Sequence, residues 1–211
     1  MNPRSTTLPS RSDIVAENER LFQAMALTAP DAVGNQVKRI LQNRARYEAA
    51  EATSGIKWYM VALLHALESS LRFDRHLHNG DPLSARTMNV PASRPTTGQP
   101  PYTWEVSAAD ALAFLFPEGA RSGLASVGGI LYAFERINGL GYRSRNVPSP
   151  YVWGCTNVYA KGKFVSNGVF DPEAVCATCG AAAILKLLID EGQVDLKVTG
   201  GAAAGFGPAR N

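Results

Sequence analysis

Residues 56–73, IKWYMVALLHALESSLRF, followed at 74–83 by DRHLHNGDPL, decide how the rest of the chain is read. The first run is apolar around most of a 3.6-residue period, which predicts a buried helix over 56–73 at the centre of the fold. The cluster HNGDPL then predicts a turn. Glu68 breaks the apolar face. It lies seven residues after Val61, four after Leu64 and three before Leu71, so a helix points its carboxylate at the core side. Desolvation disfavours the ionised form, and a carboxyl placed this way becomes a proton donor near neutral pH. The competing structural role is an i,i+4 ion pair with Arg72 at the helix end. All three histidines of the chain, His65, His76 and His78, gather around this glutamate.

Outward from the helix, the turn carries a second acid, Asp81. One carboxylate in an apolar setting and one in a solvated setting, held across a cleft, are the minimum equipment for breaking a glycosidic bond. Gly-Asp-Pro is also an ordinary turn tripeptide. From 84 to 101 prolines and glycines crowd too closely for a helix, and the alternation at Thr87 to Val90 predicts one strand of a small hairpin. WEVSAADALAFLF reopens a helix, with Ser107 and Asp110 at capping spacing. Another apolar helix is expected over 123–137, followed by an irregular stretch rich in Tyr, Trp and Asn. Asp171 and Pro172 have the form of an N-cap and first turn for a last helix reaching Glu191.

Upstream, residues 1–12 read as a loose polar arm. Helices follow from Asp13, with Ile14, Leu21 and Met25 in period, and from Pro30 through Val37, Ile40, Leu41 and Tyr47. The expected organisation is one domain over 13–192, with helices at 13–53 ahead of a core at 54–192, and a flexible tail at 193–211. The expected class is mainly α: a helical lobe around a central helix, with one small β-hairpin.

The 211 residues are 45% hydrophobic, enough for one core, and the formal charge is +3. That excess favours an anionic surface such as a cell wall, without the basic blocks of a nucleic-acid binder. The chain is expected to be monomeric. The N-terminus lacks the apolar core of a signal peptide and no stretch is long enough for a membrane span. The expectation is therefore synthesis in the cytoplasm, action on the wall after delivery by another component, and no membrane insertion. Cys155, Cys176 and Cys179 are an odd set, which favours a reducing compartment. The CATC pair lacks the second pair of a zinc ribbon and the βαβ setting of a redox motif, and reads as small apolar packing.

The run WYMVALLHALESSLRFDRHLHNGDPLSARTMNVPASRP, then WEVSAADAL, ERINGLGY and SPYVWGCTNVYAKGKF, resembles bacterial and phage proteins of the lysozyme-like superfamily. That superfamily includes goose-type and phage lysozymes, lytic transglycosylases and family 19 chitinases. The resemblance covers roughly residues 54–185. It implies a central helix ending in a catalytic glutamate, Glu68, beside a small β-hairpin that walls a glycan groove. Asp81 is the implied second carboxylate. ERINGLGY is similar to the Y-N-G segment opposite the glutamate in such enzymes, which makes Asn138 and Tyr142 substrate contacts, with Ile137 departing from that pattern. Tyr151, Trp153 and Tyr159 offer flat faces to sugar rings, and Thr87 is the residue expected to help hold the attacking water. His65 is expected to orient the Glu68 carboxylate, with His76 and His78 holding the loop of Asp81.

The resulting expectation is a muramidase of endolysin type that hydrolyses the β-1,4 glycan strand of peptidoglycan without cofactor or metal. Lytic transglycosylation to 1,6-anhydro products is the alternative within the same chemistry. Two other classes stay open: a zinc-dependent wall amidase or peptidase, which the histidines invite although H-E-x-x-H spacing is missing, and a non-catalytic wall-binding module on the same fold.

Overall fold

The computed structural model describes residues 9–166 and 168–196. The N-terminal half contributes α1 (Arg11–Ala24), α2 (Pro30–Gln42), α3 (Arg44–Ser54) and α4 (Trp58–Ser69). After a long irregular segment come α5 (Trp104–Leu115), the short α6 (Glu118–Arg121), α7 (Val127–Asn138) and the single-turn α8 (Pro150–Trp153). A two-stranded antiparallel sheet, β1 (Lys163–Ser166) and β2 (Val169–Asp171), precedes α9 (Ala181–Asp190). The fold is mainly α with one small hairpin.

Every residue of α4 from Trp58 to Ala66 is buried. A helix apolar all round has no face to give to solvent, so others must enclose it. α3 and α9 pack directly on it, α5 packs on α3, and α1 packs on α7. One buried cluster runs from Phe22 to Val194, so the helices ahead of residue 54 share the core. α1 starts at Arg11, with Ser10 and Asp13 forming a reciprocal capping box, so the polar arm expected over 1–12 ends earlier. Its residues 1–8 lie outside the described residues, as do 197–211 of the expected tail. Val194, within that tail, is buried and its amide bonds the Leu188 carbonyl at 3.2 Å.

The central helix ends at Ser69, short of the expected Phe73. Ser70 and Leu71 take left-handed φ values of 53° and 59°, and the Leu71 amide caps the His65 carbonyl at 3.1 Å. The turn that follows packs directly onto this end. Gly80 has φ 76°, and a Cβ there would lie 2.5 Å from the Glu68 carbonyl oxygen, so only glycine lets HNGD close beneath the glutamate.

Four other sequence expectations are corrected. Residues 84–101 form no strand pair; the hairpin is at 163–171 instead. Pro91, Pro95, Pro100 and Pro101 remove the amide donors a ladder needs, and the loop is closed through Thr87, whose hydroxyl donates to Pro91 O at 2.5 Å and accepts from Arg94 N at 2.9 Å. The last helix starts at Ala181 because Asp171 belongs to β2 and its Oδ1 accepts only a local turn, from the amides of Glu173 and Ala174 at 2.8 and 3.2 Å. Thr103, through its side chain, caps α5, while Ser107 and Asp110 bond the HLH segment. The cysteines also differ from expectation: Cys155 and Cys179 form a disulfide that joins the end of α8 to the start of α9, and Cys176 is a free thiol. A third, unpaired cysteine therefore does not argue against oxidation of the other two.

Candidate active site

Glu68 is the penultimate residue of α4 and remains partly exposed while the helix behind it is sealed. Its Oε1 accepts a short hydrogen bond from the Tyr151 hydroxyl, and among the described residues Oε2 takes none. The expected competing partner, Arg72, instead makes a bidentate pair with Asp74 at 3.1 and 2.7 Å. Burial raises the Glu68 carboxyl and the Tyr151 bond pulls it back, for a net rise to about 7. Tyr151 is itself pushed well above the usual phenol range, by burial and then by the facing carboxylate, so it stays a donor.

Tyr151 is carried by α8, a single turn started by Pro150. Ser149, just ahead of it, is buried and accepts from Asn138 Nδ2 at 3.1 Å, tying the end of α7 to the start of α8. The Tyr151 ring leans on Phe134 of α7, with centroids 6.4 Å apart. Tyr151, Asn138, Tyr142, Leu67, Lys163 and Phe164 are among the residues lining a cleft of about 520 Å³. Glu68 does not line it; it stands one hydrogen bond behind the wall that Tyr151 forms. Tyr142 fastens the hairpin, because its hydroxyl accepts from Phe164 N at 3.2 Å and its ring meets those of Phe164 and Phe170 edge-on at 5.0 and 6.2 Å. The hairpin that walls the cleft is thus the 163–171 ribbon.

The Asp81 carboxylate is engaged within its own loop. It accepts from Met88 N at 2.8 Å, Asn89 N at 2.9 Å, Asn89 Nδ2 at 2.7 Å and Asn79 Nδ2 at 3.2 Å. Burial pushes the carboxyl up, these bonds outweigh it, and its pKa ends below the ordinary range. Thr87 is buried with its hydroxyl donating to Pro91 O and accepting from Arg94 N inside the same loop, so it serves that loop. Trp153 is core, and Tyr159 is buried with its hydroxyl between Gly162 O at 3.2 Å and Cys176 N at 3.1 Å.

The histidines divide. His65 points away from Glu68: Nδ1 meets the Tyr47 hydroxyl at 2.9 Å and the ring lies among Phe73 and Trp104, so it does not orient the carboxylate. Burial lowers its pKa to about 4. His76 bonds Ser107 Oγ and Ala85 O, both at 2.8 Å, and His78 bonds Asp110 Oδ2 at 2.8 Å, so these two do pin the loop of Asp81 to α5. Among the described residues no three His, Cys, Asp or Glu side chains are grouped to hold a metal.

The arrangement is a carboxyl raised toward neutrality by burial, with one oxygen fixed and the other unbonded among the described residues, behind the tyrosine wall of an aromatic and amide-lined cleft. Of the residues expected from sequence, Asn138, Tyr142 and Tyr151 line the cleft and Glu68 stands behind Tyr151. Sequence reasoning missed Leu67, Lys163 and Phe164 on the cleft, and the last two stand in the same aromatic stretch that supplied Tyr159. No family model matches this chain, and no curated protein or solved structure shows significant similarity to it. No helix among the described residues is long and apolar enough to cross a membrane.

Proposed function

We propose that this chain cleaves the β-1,4 glycan strand of peptidoglycan, with Glu68 as proton donor. The observation that carries the reading is the Glu68 carboxyl, raised to about 7 by burial and held through Oε1 by Tyr151 beside a cleft of about 520 Å³. The substrate class rests on the resemblance of the HALES and HLHNGDPL segments to lysozyme-like proteins and on the charge of +3. In this reading Oε2 of protonated Glu68 gives its proton to the glycosidic oxygen as the C1–O4 bond breaks, while Tyr151 keeps the carboxyl in register. Asn138 and Tyr142 offer an amide and an aromatic face to the sugars.

Hydrolysis by two carboxylates would need Asp81, and four hydrogen bonds already hold that carboxylate in its own loop. This favours a second reading, lytic transglycosylation. Glu68, ionised after the first step, then takes the proton of the muramic acid 6-hydroxyl as that oxygen bonds to C1, and no water enters. Mass spectrometry of products released from purified sacculi tests both: reducing muramic ends mean hydrolysis, 1,6-anhydro ends mean transglycosylation. Intact sacculi with active full-length protein would overturn the proposal.

A further inference from the structure

Of the described residues that line the cleft, Lys163 is the one Lys, Arg, Asp or Glu; its polar neighbours Asn138, Tyr142, Ser166 and Thr178 carry no formal charge. Lys163 opens β1 and is half-buried. Just outside the ribbon, Lys161 shows how a surface lysine is ordinarily matched: it holds both oxygens of Glu173 at 2.8 and 2.7 Å. Lys163 has no such pair among the described residues. Asp171 stands opposite it in the strand register, but its Oδ1 is turned to the amides of Glu173 and Ala174. A partly desolvated ammonium with no counter-charge, at the wall of a concave site, draws an anion to it.

We propose that Lys163 is a carboxylate-recognition site of this cleft and makes it prefer glycans that bear a carboxylate over neutral N-acetylglucosamine polymers. The assignment rests on the reading of the cleft as a glycan site. A lysine suits this role as a point charge on a flexible stem, able to reach a carboxylate on a sugar substituent without a fixed fork geometry. The carboxylate has two sources in a wall strand, the lactyl ether of a bare muramic acid or the acids of an attached stem peptide. The hairpin position is fixed by Tyr142, whose hydroxyl holds the Phe164 amide at 3.2 Å, one residue along from Lys163.

Calorimetric titration of the full chain carrying Glu68→Gln, so that no ligand is cleaved, tests this with three ligands: a bare N-acetylglucosamine–N-acetylmuramic acid tetrasaccharide, the same tetrasaccharide with stem peptides, and chitotetraose. The expected result is affinity for a carboxylated ligand about tenfold above chitotetraose, as one charge-assisted contact supplies. On that background Lys163→Gln should abolish the difference, and Lys163→Arg should retain it. A preference seen with the bare sugar assigns the lactyl carboxylate, and one seen only with stems assigns the peptide. Equal affinity for charged and neutral ligands, an undiminished preference in a folded Lys163→Gln protein, or no binding at all would overturn it. Binding is read without turnover, so a Lys163-dependent preference, together with sacculi left intact by the chain with Glu68 in place, would sink the cleavage reading alone.

Discussion

The hydroxyl of Tyr151 donates to Oε1 of Glu68 across 83 residues of sequence, and the rest of the candidate site is arranged around that bond. It opposes the effect of burial on the carboxyl. Tyr151→Phe should therefore raise the Glu68 pKa above about 7 and move the alkaline fall of cleavage rate to higher pH. The same change frees the carboxyl to rotate, so the maximal rate should drop about tenfold or more, the loss of one hydrogen bond to a charged group. A pH–rate profile of the variant reads both effects; an unmoved alkaline limb would separate Tyr151 from the proton chemistry.

Glu68→Gln should lose cleavage by about 10²- to 10⁴-fold, since the amide keeps the shape and cannot deliver a proton. Near-wild-type release from sacculi would make Glu68 structural.

Glu68 and His65 also bias stability in opposite directions. Glu68 rises from 4.5 to about 7 on folding, so the folded chain keeps a proton that the unfolded chain releases, and stability falls as pH climbs from 4.5 to about 7. His65 drops from 6.5 to about 4, so the unfolded chain gains a proton the folded chain refuses, and stability falls as pH descends over that window. Each effect is worth about 3 kcal/mol, less for the partly exposed Glu68, and they offset between roughly 4.5 and 6.5. Glu68→Gln should unmask a stability that rises with pH and exceeds wild type above 7, and His65→Gln one that falls with pH. Urea titrations at half-unit pH steps measure these slopes.

Asp81→Ala should cost about 2–3 kcal/mol, because Met88, Asn89 and Asn79 lose their common acceptor. With the carboxyl pKa held below its ordinary range, this contribution is present near neutrality and disappears as pH falls through that lowered value. Asp81→Asn should keep cleavage within less than the roughly 10²-fold loss of an acid–base group. A larger loss, with the fold intact by circular dichroism, would return Asp81 to the chemistry.

Cys155 and Cys179, 24 residues apart, clamp α8 to α9. Reduction or a Cys155→Ala, Cys179→Ala double variant should lower stability by about 3 kcal/mol through the freed unfolded chain. Because α8 carries Tyr151, the alkaline limb of the rate profile should move up as it does for Tyr151→Phe. Thermal unfolding with and without reductant measures the first effect.

Periodicity alone set the central helix and put Glu68 on its inner face, because a 3.6-residue repeat fixes which side chains share a side whatever surrounds them. Turn chemistry likewise located HNGD, where Gly80 is required by its contact with the Glu68 carbonyl. What Glu68 touches was a different matter. Arg72 is its natural partner by local spacing, yet Tyr151 takes that place from α8, and no local rule spans the distance between them. The hairpin was misplaced for a related reason: alternation at 87–90 pointed to the wrong segment, whereas KFVSNGVFD at 163–171 does not alternate and is held as a hairpin by packing of Phe164 and Phe170 against Tyr142. His65 and Asp81 were drawn into the site by proximity in sequence, while the fold turns one toward Tyr47 and closes the other within its loop. The sequence by itself determined the mainly α class and the inward-facing carboxyl. Tertiary structure alone decided its hydrogen-bond partner, the wall of its cleft and the lysine that is the one cation among the described residues there, since each depends on residues brought together from remote segments.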